Sequence, residues 1–344
     1  MTDIAGVEQA IAVGDLDELL RWVDRLGDGH EWNELSELAR RCQGAFERTG
    51  HQLWPAANRA SYRLALEAPG RWAAEAMDAG GGRFAWGPLT EVAASTHAWG
   101  EIAPFLEPGP TASLFTHERV IRGEALDTVP GAGALASVHV IDLPLRLQPW
   151  EPRYCLPVYH PDRLEDPGPD LPPMNRLHLP EAGSILVDDD TEAALRALIE
   201  PWIVGSNGSA GFAVVEGNAE TAVATLLGSA HQLEDVASPG SVRWADVSPA
   251  EALCHLAWAG ATGGAHGRRR GCALGRFGAW WALRALSGLP DDEPLSPDEL
   301  GEAADELRWA LWLPEDAPVG WHLHLAVEDP AEGLAWAFSA VDHA

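Results

Sequence analysis

The chain has 344 residues, of which 46% are hydrophobic and 22% charged, a composition typical of a globular protein with an extensive core. Its 52 acidic and 23 basic residues leave a formal charge of -29, which argues against nonspecific nucleic-acid binding and against docking on anionic lipid. Every basic residue is arginine, and without lysine neither an internal Schiff base nor a lysine-containing phosphate loop can form. We therefore expect no nucleic-acid partner, no membrane partner and no cofactor.

Residues 1–128 form a predicted helical region. Apolar residues recur at helical spacing, and in the second helix Leu35, Leu38 and Cys42 fall on one face. The predicted helices are residues 4–26, 32–48, 55–67, 70–78, 89–105 and 112–123.

Residues 129–190 form a predicted Pro/Gly-rich region of strand and connection. Alternating β-branched residues predict a strand at 137–150. Proline and glycine occupy five of the twelve positions 164–175, which prevents regular secondary structure there. We expect this second segment to be an ordered surface connection or a linker.

Residues 191–344 form a predicted mixed α/β region that ends in helices. From residue 184 onward, strands at 184–190, 211–217, 231–236 and 321–327 alternate with helices at 192–202, 220–227, 249–261, 271–286 and 333–341. The whole pattern predicts a helix-rich α+β protein, with a helical N-terminal region followed by a mixed region that contains a small sheet.

Three short motifs predict helix starts in the C-terminal third. They are SPAE at 248–251, SPDE at 296–299 and DPAE at 329–332, each with a capping side chain, a proline in the first turn and a glutamate at the third helical position. The three acids at 188–190 could hold magnesium, but the same residues suit a helix N-cap, and we favour the cap.

An arginine-rich segment, GGAHGRRRGCALGRFGAWW at 263–281, places four arginines within nine positions of this acidic chain. Its glycines allow a tight turn and close approach to a ligand, and the following helix begins with N–H donors. Guanidinium groups suit phosphate and carboxylate. The candidate ligand-binding residues are His266, Arg268, Arg269, Arg270 and Arg276. Alternatively, the arginines pair with the protein's own carboxylates and brace the fold.

The sequence HLH places His322 and His324 on the same face of a predicted strand, a spacing that zinc sites use. No third ligand is identifiable by spacing, so we assign no metal site and expect surface histidines on an exposed strand. The four cysteines lie far apart with no CxxC pair, which predicts reduced thiols. With no signal peptide at the N-terminus, this predicts a cytoplasmic location.

Several strings resemble an uncharacterised actinobacterial protein family of unknown function. They are the arginine-rich segment itself, EDPAEGLAWA at 328–337, DLPLRLQPWEP at 142–152 and RLALEAPGRWAAEAM at 63–77. The resemblance extends over most of the chain. It implies a bacterial cytoplasmic protein and brings no activity, cofactor or catalytic residue.

No standard catalytic motif is present, so the catalytic residues are unknown and the leading hypothesis is a soluble binding protein. It would recognise an anionic small molecule or an acidic partner segment through the arginine-rich segment. The first alternative is an enzyme for a phosphorylated or carboxylated substrate, with His266 as acid or base. The second is a structural or interaction protein in which the arginine cluster is an internal ion-pair brace. The sequence leaves the oligomeric state open.

Overall fold

A computed structural model describes residues 4–78, 85–137, 141–232, 240–289, 296–317 and 320–343. The chain forms two compact units. The N-terminal unit comprises Met1–Leu147 and Leu156–Asp166, and the C-terminal unit comprises Gln148–Cys155 and Pro167–Ala344. The first is helical and the second combines helices with a sheet, which confirms the predicted α+β class. No helix in the described part of the chain has the length and apolar character needed to cross a membrane.

The N-terminal unit is built from short helices around an apolar core. Its elements are α1 (Ile4–Val13), α2 (Leu16–Asp28), α3 (Trp32–Gln43), α4 (Ala45–Thr49), α5 (Trp54–Glu67), α6 (Gly70–Asp78), α7 (Leu89–Thr96), α8 (Trp99–Ile102), a 3-10 turn (Ala103–Phe105), α9 (Pro110–Ile121), α10 (Ala132–Ala136), and the two-residue strands β1 (Val158–Tyr159) and β2 (Leu164–Glu165). Leu35, Leu38 and Cys42 are buried on α3, as their spacing predicts.

Three predicted helices of this region are interrupted rather than continuous. Between α1 and α2, Gly14 takes a left-handed φ of 73° and the Asp15 side chain then accepts the N–H of Glu18 at 3.0 Å. Glycine ends the first helix because it adopts a left-handed φ without the clash that a Cβ would cause. The aspartate begins the next helix because its carboxylate accepts a backbone N–H that has no partner within the helix. Gly44 separates α3 from α4 with a φ of -83°, and its N–H donates to carbonyls of the last turn of α3.

The C-terminal unit contains a six-stranded sheet and six helices among its described residues. Its elements are β3 (Asn175–His178), α11 (Asp189–Leu198), α12 (Glu200–Val204), β4 (Ser209–Glu216), α13 (Ala219–Gln232), β5 (Ser241–Val247), α14 (Pro249–Ala261), α15 (Cys272–Leu286), α16 (Pro297–Glu306), β6 (Arg308–Pro314), β7 (Trp321–Asp329) and β8 (Leu334–Asp342). The strand order is β3-β5-β6-β7-β8-β4, and every neighbouring pair is antiparallel.

The two faces of the sheet are covered by different helices. On one face, Ala222 and Val223 of α13 pack into a core with Trp312, Ala326 and Ala337 of the strands. The other face receives α14, which packs against β6 and β7. Because side chains alternate along a strand, odd and even positions of β6 and β7 belong to different cores.

The helix-start predictions are confirmed at two of the three motifs. Ser248 and Glu251 form a reciprocal capping box at the start of α14, and Ser296 caps α16. Asp188 likewise accepts the N–H of Thr191 at 3.1 Å and caps α11. These caps depend on residues within one turn, which is why local sequence identifies them.

The DPAE prediction at 329–332 is wrong, and so is the predicted helix at 333–341. DPAE forms the turn of a hairpin, in which Asp329 accepts the N–H groups of Ala331 and Glu332 at 2.8 and 3.1 Å. The following apolar residues form β8, which pairs with both β7 and β4. An aspartate can accept the same nearby N–H groups in a turn as in a helix start, so the motif alone does not distinguish them.

Other predicted strands are also corrected. Residues 141–150 contain turns and bends instead of a strand, and 138–140 lie outside the described residues. At 184–190 a single bridge joins Ile185 to Val215. Residues 231–232 end α13, and the rest of the strand predicted at 231–236 lies outside the described residues.

Candidate ligand-binding site

The arginine loop, residues 262–271, is a tightly packed connection between α14 and α15. The N–H of Arg270 donates to the carbonyl of Ala261 at 2.8 Å, which closes the end of α14. A Cβ added at Gly263 would lie 2.3 Å from the backbone of Gly267, so the two segments approach within a distance that only glycine permits. Gly263 and Gly267 thus allow the loop to pack on itself, whereas Gly264 packs against Asp342 and Trp202.

Arg276 is buried in an internal ion pair. Its side chain is 1% exposed, and its Nε and Nη2 atoms each lie 2.7 Å from a carboxylate oxygen of Glu151. Trp280 and Tyr154 also donate hydrogen bonds to this carboxylate, at 3.0 and 2.7 Å. Burial raises the pKa of Glu151, but the hydrogen bonds and charge of Arg276 outweigh burial, and the pKa is lowered. This guanidinium is not accessible to a ligand.

Two arginines of the loop itself also have partners within the C-terminal unit. Arg270 donates from Nη1 to the carbonyl of Ala197 in α11 at 3.1 Å. Arg269 donates from Nη2 to the Sγ atom of Cys272 at 3.2 Å. These contacts tie the loop to α11 and to the start of α15 through a backbone carbonyl and a thiol, whereas the brace hypothesis specified carboxylate partners.

The remaining two predicted residues lie at the surface. His266 and Arg268 are exposed, and the backbone N–H of His266 donates to the hydroxyl of Ser206 at 3.0 Å. The loop therefore presents an imidazole and a guanidinium to solvent, while Arg276 is enclosed.

A different part of the C-terminal unit contains a cavity of about 310 Å³ where polar side chains converge. We call it the histidine pocket. Its polar and aromatic lining consists of Arg243, His255, Trp258, Trp312, His322 and His324.

The histidine pocket forms where β6 and β7 separate. Their described ladder ends at the pair Leu311 and Leu325, while beyond this pair β6 continues along β5 and β7 along β8. By strand alternation, Trp312 and His324 belong to the sheet face covered by α13, whereas Leu311 and Leu313 belong to the face covered by α14. All four line the same cavity. Side chains of both sheet faces can contact this cavity because β6 and β7 are no longer paired there.

His324 is the most unusual polar group of the pocket. It is 4% exposed, and neither of its ring nitrogens has a hydrogen-bond partner within the described residues. Its ring centroid lies 4.6 Å from that of Trp312. Burial, with a smaller contribution from the charge of His322, lowers the pKa of His324 to about 3, so the imidazole is neutral at pH 7. The indole nitrogen of Trp258 also has no partner among the described residues.

His255 reaches the pocket from α14, one turn before Trp258. Burial lowers its pKa to about 4, despite a hydrogen bond with the backbone of Asp170 that raises it. Asp170 belongs to the Pro/Gly-rich segment at 164–175, which also contributes Gly168 against the ring of Trp258, at 3.3 Å from an added Cβ. From this segment, Gly168, Pro169 and Leu171 line the pocket, and the backbone of Asp170 orients the His255 ring.

Arg243 provides a guanidinium at the edge of the pocket. It is exposed on β5, directly opposite Arg176 of β3. Arg176 lies 3.0 Å from the carboxylate of Glu315, whereas Arg243 has no ion pair within the described ranges of the chain. Arg243 therefore offers an exposed guanidinium of the kind that pairs with carboxylate or phosphate.

The expectation that HLH lies on an exposed strand is wrong, because His324 is in the interior and His322 is half-buried. The two ring centroids are 5.7 Å apart. Within the part of the chain that the structure describes, no set of three ligand atoms within 4.8 Å of one another includes either histidine. The pair thus contributes to a polar cavity without forming a three-ligand metal site.

Sequence reasoning identified His322 and His324 but missed the rest of the pocket. The local signal for His255 and Trp258 is that both lie on the well-capped helix α14, three residues apart on one face. Nothing near Arg243 in the sequence distinguishes it from the other arginines.

The chain belongs to a family of unknown function, DUF6183, whose model matches residues 17–344. No curated protein and no solved structure matches the chain.

Proposed function

We propose that the C-terminal unit binds a small planar molecule with a carboxylate or a similar anionic group in the histidine pocket. The observation that carries this proposal is the buried imidazole of His324, whose two ring nitrogens have no hydrogen-bond partner in the described structure. A buried polar group without a partner destabilises a fold by about 1–3 kcal/mol, so a retained one favours a role in ligand binding.

The pocket's chemistry defines the ligand class. A neutral imidazole offers one donor and one acceptor, and the indole of Trp258 adds a second donor. The rings of Trp258 and Trp312 favour a flat ligand. Arg243 matches a carboxylate or phosphate. The cavity of about 310 Å³ is at the lower end of the usual range for small-molecule sites, which favours a compact compound.

Binding is better supported than acid–base catalysis. A general base works best when its pKa lies near the working pH, but the pKa values of His255 and His324 are lowered to about 4 and 3. Both imidazoles are therefore weak bases at neutral pH. His266, the base in the enzyme alternative, is exposed on the arginine loop.

We further propose that the arginine loop braces the pocket instead of binding the ligand. The loop closes the end of α14, the helix that carries His255 and Trp258, and Arg270 ties it to α11. A cytoplasmic, soluble protein remains part of the proposal, and the four reduced cysteines are consistent with it.

The test is calorimetric titration with aromatic and heteroaromatic carboxylates, each paired with its uncharged amide. We expect some carboxylates to bind and their amides to bind at least tenfold more weakly. His324→Phe, which keeps a planar ring but removes both nitrogens, should abolish binding, and Arg243→Gln should reduce the preference for the carboxylate. Arg308→Gln, on β6 among surface carboxylates, is the matched control and should bind normally. Unchanged binding by both pocket variants would refute the proposal.

A further inference from the structure

Two cysteines that are distant in sequence meet in the C-terminal unit. The Sγ atoms of Cys155 and Cys254 are 3.6 Å apart, in contact and at hydrogen-bonding distance for sulfur. Cys254 lies on α14, and Cys155 ends the segment Gln148–Cys155. Both are reduced in this structure. A separation of 99 positions explains why cysteine spacing does not predict the pair.

The thiol pair lines a second cavity, of about 340 Å³, which shares His255 with the lining of the histidine pocket. Cys155 is half-buried and Cys254 is 9% exposed, so Cys155 is the more accessible sulfur. Arg153 also lines this cavity, is exposed, and has no ion pair among the residues that the structure describes. The site thus combines two adjacent thiols and space for a small molecule, with the guanidinium of Arg153 and the carboxylates of Asp170 and Glu251 in its lining.

We infer that Cys155 and Cys254 form a reversible dithiol–disulfide centre that reacts with small disulfides. Protein disulfides require the sulfur atoms to lie about 2.0 Å apart, so the pair must close by roughly 1.5 Å, a movement that rotation of two side chains can supply. Oxidised glutathione is a small disulfide of this class, which carries both ammonium and carboxylate groups that can pair with Asp170, Glu251 and Arg153 of the lining.

The reaction proceeds in two exchanges. The Cys155 thiolate attacks one sulfur of the small disulfide, breaking its S–S bond, forming a mixed disulfide and releasing one small thiolate. The Cys254 thiolate then attacks the Cys155 sulfur, forming the internal disulfide and releasing the second small thiolate. The two protons lost by the protein thiols end on the two released thiolates. The protein is oxidised by two electrons and the small disulfide is reduced, and a small dithiol reverses the reaction.

The experiment equilibrates the full chain with oxidised and reduced glutathione at several ratios, blocks remaining thiols by acid quench and alkylation, and maps the linked peptides by mass spectrometry. We expect a loss of two hydrogen masses and one cross-link, between the peptides of Cys155 and Cys254. Reduction by dithiothreitol should restore both thiols. Persistence of both thiols at every ratio, or a cross-link of Cys155 to the nearby Cys272, would overturn the inference.

Two variants test which cysteine reacts first in the two exchanges. Cys254→Ser removes the second nucleophile, so a mixed disulfide with glutathione should accumulate on Cys155. Cys155→Ser should prevent both the cross-link and most of the glutathione adduct on Cys254. Cys42→Ser, in the buried core of α3, is the control and should form the cross-link like the unmodified protein. Near-ultraviolet circular dichroism establishes that each variant is folded. The cross-link mapped in the unmodified protein tests the inference even if a variant does not fold.

Discussion

The arginine-rich segment at 263–281 and the histidine pocket are both rich in polar side chains, yet they differ in how completely these side chains are paired within the protein. Arg276, on α15 directly after the loop, has a bidentate carboxylate partner, and Arg270 in the loop donates to a backbone carbonyl. In the pocket, His324 is buried with both ring nitrogens lacking partners in the described structure. The comparison teaches that a high local density of charged residues does not mean that their charges are left for a ligand. Incomplete internal pairing is the feature on which the proposed site rests, because the fold gains nothing from it.

The largest expected effect tests the brace. Arg276→Leu should lower the free energy of unfolding by about 3–5 kcal/mol, because it leaves the buried carboxylate of Glu151 without its cation. Urea unfolding measures this. The double variant Arg276→Leu with Glu151→Leu should recover part of the loss, since no uncompensated charge remains. A single-variant loss no larger than that of exposed Arg308→Gln would remove the contrast between the loop and the pocket.

The second prediction concerns pH and the pocket. The pKa of His324 is lowered by burial from 6.5 to about 3, so between pH 7 and pH 5 the unfolded chain takes up a proton here and the folded chain does not. Stability therefore falls as pH falls, by about 2 kcal/mol from this group. His324→Phe should lack this part of the pH dependence in urea unfolding at pH 7 and pH 5.

The control for the pH experiment is Leu323→Ala. Leu323 is buried on β7 beside His324 and does not titrate, so this variant should lose stability equally at both pH values. If Leu323→Ala and His324→Phe show the same pH dependence, the imidazole is not held neutral by the fold.

A smaller effect on stability is expected at the N-cap of α14. This helix carries His255 and Trp258 of the histidine pocket and leads into the arginine loop. Ser248→Ala removes the capping box with Glu251 and should cost about 1 kcal/mol. Hydrogen exchange in the first turn of α14 should accelerate. Ser296→Ala at α16 is the matched cap, and it should leave exchange in α14 unchanged. Faster exchange in α14 from both variants would show that the two helices unfold together.

The smallest expected effect is at Arg243. Arg243→Gln should leave the thermal midpoint unchanged or slightly raised, because it removes a like charge opposite Arg176 and breaks no ion pair. Arg176→Gln, which does lose an ion pair with Glu315, should not be stabilising. A marked loss of stability in Arg243→Gln would assign this arginine to the fold instead of to ligand binding.

Local signals predicted much of the fold. The caps at Ser248 and Ser296 were identified from four-residue motifs, and α6 and α14 begin and end at the predicted residues. The same kind of motif gave a wrong helix prediction at 329–332, where DPAE forms the turn between β7 and β8. The difference is that β8 has two strand partners, and their hydrogen bonds outweigh a local helical preference.

The candidate site was less predictable than the fold. His322 and His324 could be flagged by their spacing, but spacing does not reveal whether a strand face is exposed. Arg243 and His255 are brought to these histidines only by strand pairing and by the packing of α14. Arg276, in contrast, was a predicted ligand residue whose partner Glu151 lies 125 positions earlier in the chain.

By itself, the sequence determined the α+β class, the acidic lysine-free character, most helix starts and the absence of standard catalytic motifs. These depend on composition or on residues within one turn of each other. Only the tertiary structure decided which polar groups are paired internally and which are not, because pairing depends on residues from distant segments. In this protein, the tertiary structure buries Arg276 in an ion pair with Glu151. It leaves His324 without a hydrogen-bond partner among the described residues, at the place where β6 and β7 separate.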